Sequence, residues 1–331
     1  MANEKRYDGL DALKIICSFL VVCIHAPFDG TFGIIFEDLC VVAVPCFFMI
    51  SGFFFPRILS KGKENKQLIK ILKITTISLA CYFVWTWLFY KIANLDFSYI
   101  IDRLLSFNGA VKFVFFNESL FGYHLWYMMA FVWVLLMVKI ANMMGMKKLL
   151  LCVSPLLFVP GILLGRYANL SLGHFVALSF SRNCYFLGLP CFCMGWIVAE
   201  NLAWIKSKLN KKFLLAAVIF FGLMGPVEHQ ILTWFGCDAE GDLFISTPFY
   251  ALSVFLYFLL FFRGERLSNL GRKYSAGIYF VHVALLEITY HVISKTGFSA
   301  YYLKLEPIII FFLSLFVVFV WKKITVGKKA V

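Results

Sequence analysis

Residues 10–25 read LDALKIICSFLVVCIH, an apolar run that carries Asp11 and Lys14 near its start and His25 at its end. Such a run without period-2 alternation is typical of a membrane helix. At 100° per residue, Lys14 and His25 lie on one face of that helix, about 16 Å apart along its axis. Ionisable groups within a membrane each cost about 2.5–3.5 kcal/mol on insertion scales. The stripe therefore indicates a lined cavity, with a snorkelling Lys and an interfacial His as the alternative.

Similar apolar runs recur along the whole chain of 331 residues. Apolar residues make up 62% of the sequence and charged residues 15%, against about 45–50% and 25% in soluble domains. The chain has too few charged residues to cover a water-facing surface. We predict an all-α fold, one polytopic membrane helix bundle of about ten spans that occupies residues 1–331 as a single domain. The predicted spans are 11–27, 39–55, 73–92, 123–142, 148–165, 184–200, 212–227, 245–262, 274–293 and 305–321.

The basic residues test this span count. With ten spans, 24 of the 31 Lys and Arg residues fall near one face, which also receives both chain ends. Cytoplasmic loops are enriched in Lys and Arg. The asymmetry therefore predicts cytoplasmic N- and C-termini. The longest outer segments, roughly 93–122, 166–183 and 228–244, are predicted to be lid or substrate-facing elements.

Several classes of function are disfavoured. The net charge of +13 lies in short clusters between apolar runs, with no basic face interleaved by base-stacking aromatics, so we predict no nucleic-acid partner. The ten Cys residues lack zinc-site spacing, and no metal is predicted. Walker A, Rossmann, G-x-S-x-G and H-E-x-x-H motifs are absent. We predict membrane lipids as partners and leave a homo-oligomer open.

Polar residues recur inside other predicted spans. In the second span, Ser51 and Gly52 would let another helix or a ligand approach closely. In the ninth span, Ser275, Tyr279 and His282 recur at helical spacing on one face. One such residue is often a packing hydrogen bonder, whereas three on one face favour a lined cavity.

Four more candidates lie near the outer interface. His124 and Trp126 open the fourth predicted span, and Arg182 and Asn183 precede the sixth. Trp126 is also typical of an aromatic belt, and Arg182 of an interfacial anchor. The functional alternative is that these residues contact a ligand, since Arg binds anionic or polyhydroxyl groups.

These segments together resemble the acyltransferase-3 family of integral membrane acyltransferases. The resemblance runs in order over essentially the whole chain, and its first two motifs are the most specific. The matching segments are LDALK at 10–14 with His25, VPCFFMISGF at 44–53, HLWY at 124–127, RN at 182–183 before FLGLP at 186–190, and YSAGIYFVH at 274–282.

The resemblance implies a ten-helix bundle that transfers an acyl group, commonly acetyl from cytoplasmic acetyl-CoA, to a hydroxyl of a surface glycan or another exported acceptor. It implies that His25 is the catalytic histidine, as a general base or as the acyl carrier. Acyl-CoA would be a co-substrate, with no permanently bound cofactor. Lys14, Ser51, Ser275, Tyr279 and His282 would line the acyl-CoA channel. The residues expected to bind the acceptor are His124, Trp126, Arg182 and Asn183.

Two departures from the family pattern refine this expectation. Lys14 stands where the family usually has Arg, so the charge is kept and the bidentate fork is lost. HLWY replaces the Glu-rich motif of the large lipopolysaccharide O-acetylating subgroup. The chain is therefore more similar to the small stand-alone branch, which includes polysaccharide O-acetyltransferases and the membrane module of vancomycin-resistance serine racemases. A bacterial inner (plasma) membrane location follows, and serine uptake by the latter keeps a transporter of small polar solutes as the alternative function.

Overall fold

The computed structural model describes residues 6–237, 241–296 and 299–327, and this part of the chain is helical without strands. Short 3₁₀ turns lie at Tyr123–Leu125, Ser154–Leu157 and Leu178–Phe180, and a π-helical turn at Cys184–Gly188. The α-helices are α1 Asp8–His25, α2 Gly30–Cys40, α3 Ala43–Ser60, α4 Glu64–Ala93, α5 Ser98–Leu105, α6 Phe107–Phe115, α7 Trp126–Met143, α8 Lys147–Val153, α9 Phe158–Leu163, α10 Ala168–Leu172, α11 Leu189–Glu200, α12 Leu202–Lys208, α13 Lys211–Trp234, α14 Thr247–Leu260, α15 Glu265–Ile293 and α16 Ser299–Gly327.

Six helical stretches of the described chain are long and apolar enough to cross a membrane, and a seventh is bent by 80° between α11 and α12. The fold is thus an all-helical bundle of membrane-spanning type. The predicted count of ten is not confirmed, and neither is the orientation of the ends. The other predicted spans fall on α1, which contains Asp8, Asp11 and Lys14; on the short helices α8 and α9; on the bent pair; and on the 14-residue α14.

The second predicted span is divided before its proline. Helix α2 ends at Cys40 and α3 begins at Ala43, so Pro45 lies in the first turn of α3. The missing N–H of proline costs little there, since the first backbone donors of a helix have no intrahelical partner. Farther along α3, a Cβ at Gly52 would lie 1.8 Å from the Phe192 carbonyl oxygen. The close approach predicted at Gly52 is therefore made by helix α11.

Helices α1 and α15 run in parallel with matched register along a polar seam. Ser268 Oγ donates to the Asp8 carbonyl at 2.7 Å, and a Cβ at Gly271 would lie 1.8 Å from the Asp11 carbonyl oxygen. Ser18 Oγ lies 3.4 Å from the Ser275 carbonyl. Each contact joins residues separated by 257 to 260 positions, which is possible only if both helices ascend together. The same offset places His25, at the end of α1, beside His282 in the middle of α15.

A buried polar cluster near the C-terminal end of α2 connects this helix to distant loop and helix residues. Asp38 on α2 is almost fully buried and accepts from His229 Nδ1 at 2.8 Å, with Arg166 Nη2 at 3.4 Å. The Glu228 carboxylate accepts from the Tyr167 hydroxyl at 2.5 Å and from the backbone amides of residues 245 and 246 at 2.7 and 3.0 Å. These contacts hold parts of the predicted outer segments 166–183 and 228–244 against the bundle.

The close packing of α1 on α15 predicts that a single methyl group added at Gly271 lowers the stability of the protein. We expect Gly271→Ala to destabilise the protein by about 1–3 kcal/mol, because overpacking forces helix backbones apart, and to separate His25 from His282. Unfolding of the purified protein, followed by heat or denaturant, measures the loss. Gly225→Ala is the matched control, since its Cβ would meet its nearest neighbour, a Phe244 ring atom, at an ordinary 3.4 Å. Equal stability of the two variants would contradict the role of Gly271.

Candidate active site

Three of the six histidines of the chain meet inside the bundle. His25 ends α1, His124 lies in the 3₁₀ turn before α7, and His282 lies in the middle of α15. The ring centroids are 5.4 Å apart for His25 and His282, 5.0 Å for His124 and His282, and 6.5 Å for His25 and His124. We call these residues the histidine cluster. Groups far apart in the sequence thus form one site.

Hydrogen bonds fix the tautomer of His282. Its Nδ1 lies 2.8 Å from the Tyr279 carbonyl and 3.1 Å from the Ile278 carbonyl. A carbonyl only accepts hydrogen bonds, so Nδ1 must carry a proton in these contacts. Nε2 is buried and has no hydrogen-bond partner among the described residues. A neutral His282 therefore presents its Nε2 lone pair to the cluster, ready to accept a proton.

His124 is nearly fully buried, and neither ring nitrogen has a hydrogen-bond partner among the described residues. Its ring packs against the rings of Tyr82 and Tyr279 at 4.7 and 5.2 Å. The Tyr279 hydroxyl donates to the His124 carbonyl at 2.8 Å, which fixes the backbone of the turn. A buried unsatisfied polar group costs about 1–3 kcal/mol. A ligand or an ordered water at the histidine cluster would supply the missing partners.

His25 is half-buried and packs into the protein. Its ring stacks on His282 with an angle of 26° between the planes and meets Tyr123 edge-on at 4.9 Å. The ring also borders a cavity of about 520 Å³ between α4, α15 and α16. His25 is therefore available to a substrate that occupies this cavity.

An inner cavity of about 470 Å³ approaches the cluster from the side of Lys14. Its volume lies within the range of about 300–1,000 Å³ that is usual for small-molecule sites. Basic residues border one part of it, and aromatic residues border the part nearest the histidines. Tyr279 belongs both to the cavity wall and to the packing around His124. The lining includes Lys14, Gln67, Lys70, Tyr127, Phe131, Arg272, Ser275 and Tyr279.

Lys14 is held by Asp11 on the preceding turn. Lys14 Nζ lies 2.8 Å from Asp11 Oδ1, and Arg272 Nη1 lies 4.0 Å from Asp11 Oδ2. The Lys14 side chain remains 28% exposed, so its ammonium is paired and still accessible. One carboxylate thus holds two cations at the rim of the inner cavity. The rim keeps a net positive charge for an anionic ligand.

A third cavity, of about 290 Å³, lies beside Tyr123 and Arg182. Tyr123, Trp126 and Arg182 line it, together with Arg103 and Glu118, which form an ion pair. The Arg182 guanidinium lies over the Trp126 ring at 5.3 Å, and its Nε is 3.7 Å from Asp242 Oδ2. Tyr123 connects this cavity to His25. Arg182 and Trp126 therefore share one cavity wall, as the sequence-based prediction requires of two acceptor-binding residues.

Two of the predicted site residues have other roles. Asn183 is fully buried; its side-chain oxygen accepts from the amides of Tyr185 and Phe186, and its nitrogen donates to the carbonyls of residues 179 and 180. All its polar capacity is used, so we correct its assignment from acceptor binding to capping the turn before α11. Ser51 Oγ donates to the Phe47 carbonyl at 2.9 Å and neighbours the Tyr127 hydroxyl, behind the wall of the inner cavity.

Sequence reasoning missed several lining residues. Tyr123 precedes His124 directly, and its position beside a candidate histidine was the one available signal. The other missed residues look like ordinary loop or helix-end residues in the sequence, because only packing places them at a cavity. They are Lys70, Arg272 and Glu306. Glu287 was recognised in the sequence as a polar pair with His291, four residues apart on the ninth predicted span, but was not assigned to the site. Among the described residues, no group of His, Cys, Asp and Glu has an arrangement that could hold a metal ion.

The helical bundle, with six stretches able to cross a membrane and a histidine cluster beside a cavity, defines a polytopic membrane protein. A family model described as an acyltransferase domain matches residues 7–322, and the chain belongs to this acyltransferase-3 family. It is 26% identical over 289 residues to a protein of Enterococcus faecalis named amino-acid racemase. That match covers 82% of this chain and 38% of the relative, so the chain spans about two fifths of the relative's length. No solved structure matches the chain at a significant level.

The unsatisfied ring of His124 gives a test that separates function from packing. We expect His124→Phe to keep or raise the melting temperature, because an apolar ring removes two buried orphan nitrogens. We expect acyltransferase activity in membranes to fall by about tenfold or more, because the substrate loses a hydrogen-bond partner in a buried site. His174→Phe is the control, since His174 is exposed. Full activity of His124→Phe would reduce His124 to a packing residue.

Proposed function

We propose that the chain is an O-acyltransferase that moves an acyl group, acetyl in our assignment, from cytoplasmic acyl-CoA to a hydroxyl of a surface glycan or another exported acceptor. Membership in the acyltransferase-3 family supports acyl transfer. The observation that carries the rest is that His25 borders one cavity, while Tyr279 and Tyr123, whose rings pack on the histidine cluster, line the basic-rimmed inner cavity and the cavity at Arg182. The charge distribution of the sequence supports a bacterial plasma membrane location with cytoplasmic ends.

The inner cavity is our site for acyl-CoA. Lys14, Lys70 and Arg272 would attract the CoA phosphates to the rim, since cations bind phosphate through charge-assisted hydrogen bonds. The pantetheine arm would then run past Ser275 and Tyr279 toward the histidines. Lys14 and His25 are about 16 Å apart along α1, a span that an extended pantetheine chain can bridge. CoA itself then stays on the cytoplasmic side, and only the acyl group passes through.

The chemical step needs a base beside the acceptor. His25 would take the proton of the acceptor hydroxyl while the hydroxyl oxygen attacks the thioester carbonyl carbon. The carbon–sulfur bond then breaks, and the proton passes from His25 to the departing thiolate of CoA. Neutral imidazole suits both steps near pH 7. His282, with Nδ1 protonated by its contact to the Tyr279 carbonyl, would orient the His25 ring by stacking on it.

Acetyl transfer in proteoliposomes tests this function. We expect purified wild-type protein to move labelled acetyl from acetyl-CoA, supplied on one side, to an acceptor or to the protein itself. His25→Ala should lower the rate by about 10²–10⁴ while the protein remains folded, and His174→Ala should not. Undiminished transfer by His25→Ala would remove the assignment. Accumulation of serine without acyl-CoA, together with no acetyl transfer, would favour the transporter.

Lys14 gives a second test of the proposed donor site. We expect Lys14→Met to raise the KM for acetyl-CoA by about tenfold to a hundredfold, because a hydrogen bond to a charged group contributes about 1.5–3 kcal/mol. The change in kcat should be smaller, and Lys14→Arg should retain a KM near that of the wild type. Lys148→Met, which removes an exposed lysine elsewhere, is the control. An unchanged KM in Lys14→Met would place the phosphates away from Lys14.

A further inference from the structure

The cavity between α4, α15 and α16 differs in charge from the other cavities at the histidine cluster. It holds about 520 Å³ and is bordered by His25, the carboxylates of Glu287 and Glu306, and the rings of Phe89 and Tyr290. The inner cavity and the cavity at Arg182 are lined by cations. This cavity thus combines two acids, aromatic walls and direct access to His25, and we call it the acidic cavity.

Glu306 gives the strongest indication that the acidic cavity binds a hydrogen-bond donor. The residue is 6% exposed, and its Oε1 is buried without a hydrogen-bond partner among the described residues. The Tyr302 side chain neighbours the same carboxylate, and its hydroxyl also donates to Thr289 Oγ1 at 2.8 Å. A buried carboxylate oxygen with no donor is costly, by about 1–3 kcal/mol or more. The cavity is where a missing donor has room to bind.

Glu287 shares the cavity and also lacks a cation. Its Oε2 accepts from Trp85 Nε1 at 2.5 Å, and neither Glu287 nor Glu306 forms an ion pair with a described Lys or Arg. His291 also lines the cavity, and its Nε2 lies 2.9 Å from Lys295 Nζ, so this ring is already paired with a lysine and not with either carboxylate. Two carboxylates beside aromatic rings form the usual surroundings of a bound ammonium group.

We propose that the acidic cavity, which His25 borders, and not the cavity at Arg182, binds the acceptor through a protonated amine, so that the acceptor is an amino alcohol or an amino sugar. The ammonium group would lie at Glu287 and Glu306 against Phe89 and Tyr290, and a hydroxyl of the same molecule would reach His25. This proposal rests on the acyl transfer proposed above and names its acceptor class. A protonated amine has no lone pair, so the acyl group bonds to the hydroxyl oxygen, and the hydroxyl proton leaves through His25 to the CoA thiolate.

Charge-selective labelling tests the cavity without any acyl-CoA. A cysteine is introduced as Ala93→Cys at the cavity wall in protein whose accessible thiols Cys81, Cys152 and Cys237 are replaced by Ser. The second-order rates of a cationic and an anionic methanethiosulfonate reagent are measured in lipid nanodiscs. Phe107→Cys, at a position that is 86% exposed, is the reference. The ratio of the two rates cancels the pKa of each thiol.

We expect the cation-to-anion ratio to be at least about tenfold higher at position 93 than at position 107, since clefts of one charge concentrate counter-ions to this extent or more. Glu287→Gln with Glu306→Gln should bring the ratio at position 93 down to that at position 107. Ethanolamine at millimolar concentration should slow labelling at position 93, and ethylene glycol, which lacks the amine, should not.

Each result decides the proposal. Equal ratios at both positions would overturn it, and so would a cation preference that survives both Gln substitutions or a lack of protection by ethanolamine. If the double variant fails to fold, the ratio and the ethanolamine protection in protein with Glu287 and Glu306 intact still decide. Failure of acyl transfer appears separately in the acetyl-CoA assay, so a cation-selective cavity in a protein without transfer would retain the site and reject the reaction.

Discussion

The close parallel packing of α1 on α15 is the constraint on which the site depends. Gly271 leaves no side chain between its own backbone and the Asp11 carbonyl, so the two helices approach more closely than side chains allow. Ser268 and Ser18 hydrogen-bond across the same seam. Because the register is fixed at the lower end, His25 and His282 must meet at the upper end. The stacked pair is therefore a consequence of small residues two to three turns away.

Placing several ionisable groups inside a membrane protein costs free energy, and this cost bears on how the site is built. One of the three clustered imidazoles, that of His25, and two carboxylates border a cavity in a bundle that otherwise has few charged residues. Where a polar partner exists, the structure uses it, as for Glu228, whose oxygens accept from three donors. Among the described residues, four of the nine buried side-chain atoms without a hydrogen-bond partner lie on His124, His282 and Glu306. The stability lost at these atoms is consistent with selection for binding rather than for folding.

The structure also refines what the family resemblance implies. Lys14 replaces the usual Arg, and the structure surrounds it with Lys70 and Arg272 at the same rim. A point charge supported by two others can replace a bidentate fork in attracting phosphates, although it fixes their orientation less strictly. The two sides of the cluster then differ in charge. Cations border the proposed donor cavity, and acids border the cavity proposed for the acceptor amine.

The sequence by itself determined the helical membrane class and much of the site. Apolar runs and scarce charges require helices in lipid, because a helix satisfies its own backbone hydrogen bonds. Helical periodicity identified His25 with Lys14, and His282 with Tyr279, because residues on one helix keep a fixed angular relation. His124, Arg182 and Trp126 were also identified, as polar or aromatic residues at span ends. Hydropathy alone did not show the break between α8 and α9, and it did not determine the number of true spans.

Only the tertiary structure decided which residues meet. The stacking of His25 on His282, the full use of the Asn183 side chain in capping, and the isolation of the Glu306 oxygen all depend on contacts between segments far apart in the chain. Local patterns carry no information about the register of one helix against another. That register is set by close backbone contacts such as Gly271 with Asp11 and Gly52 with Phe192, and a glycine in a sequence does not reveal its partner.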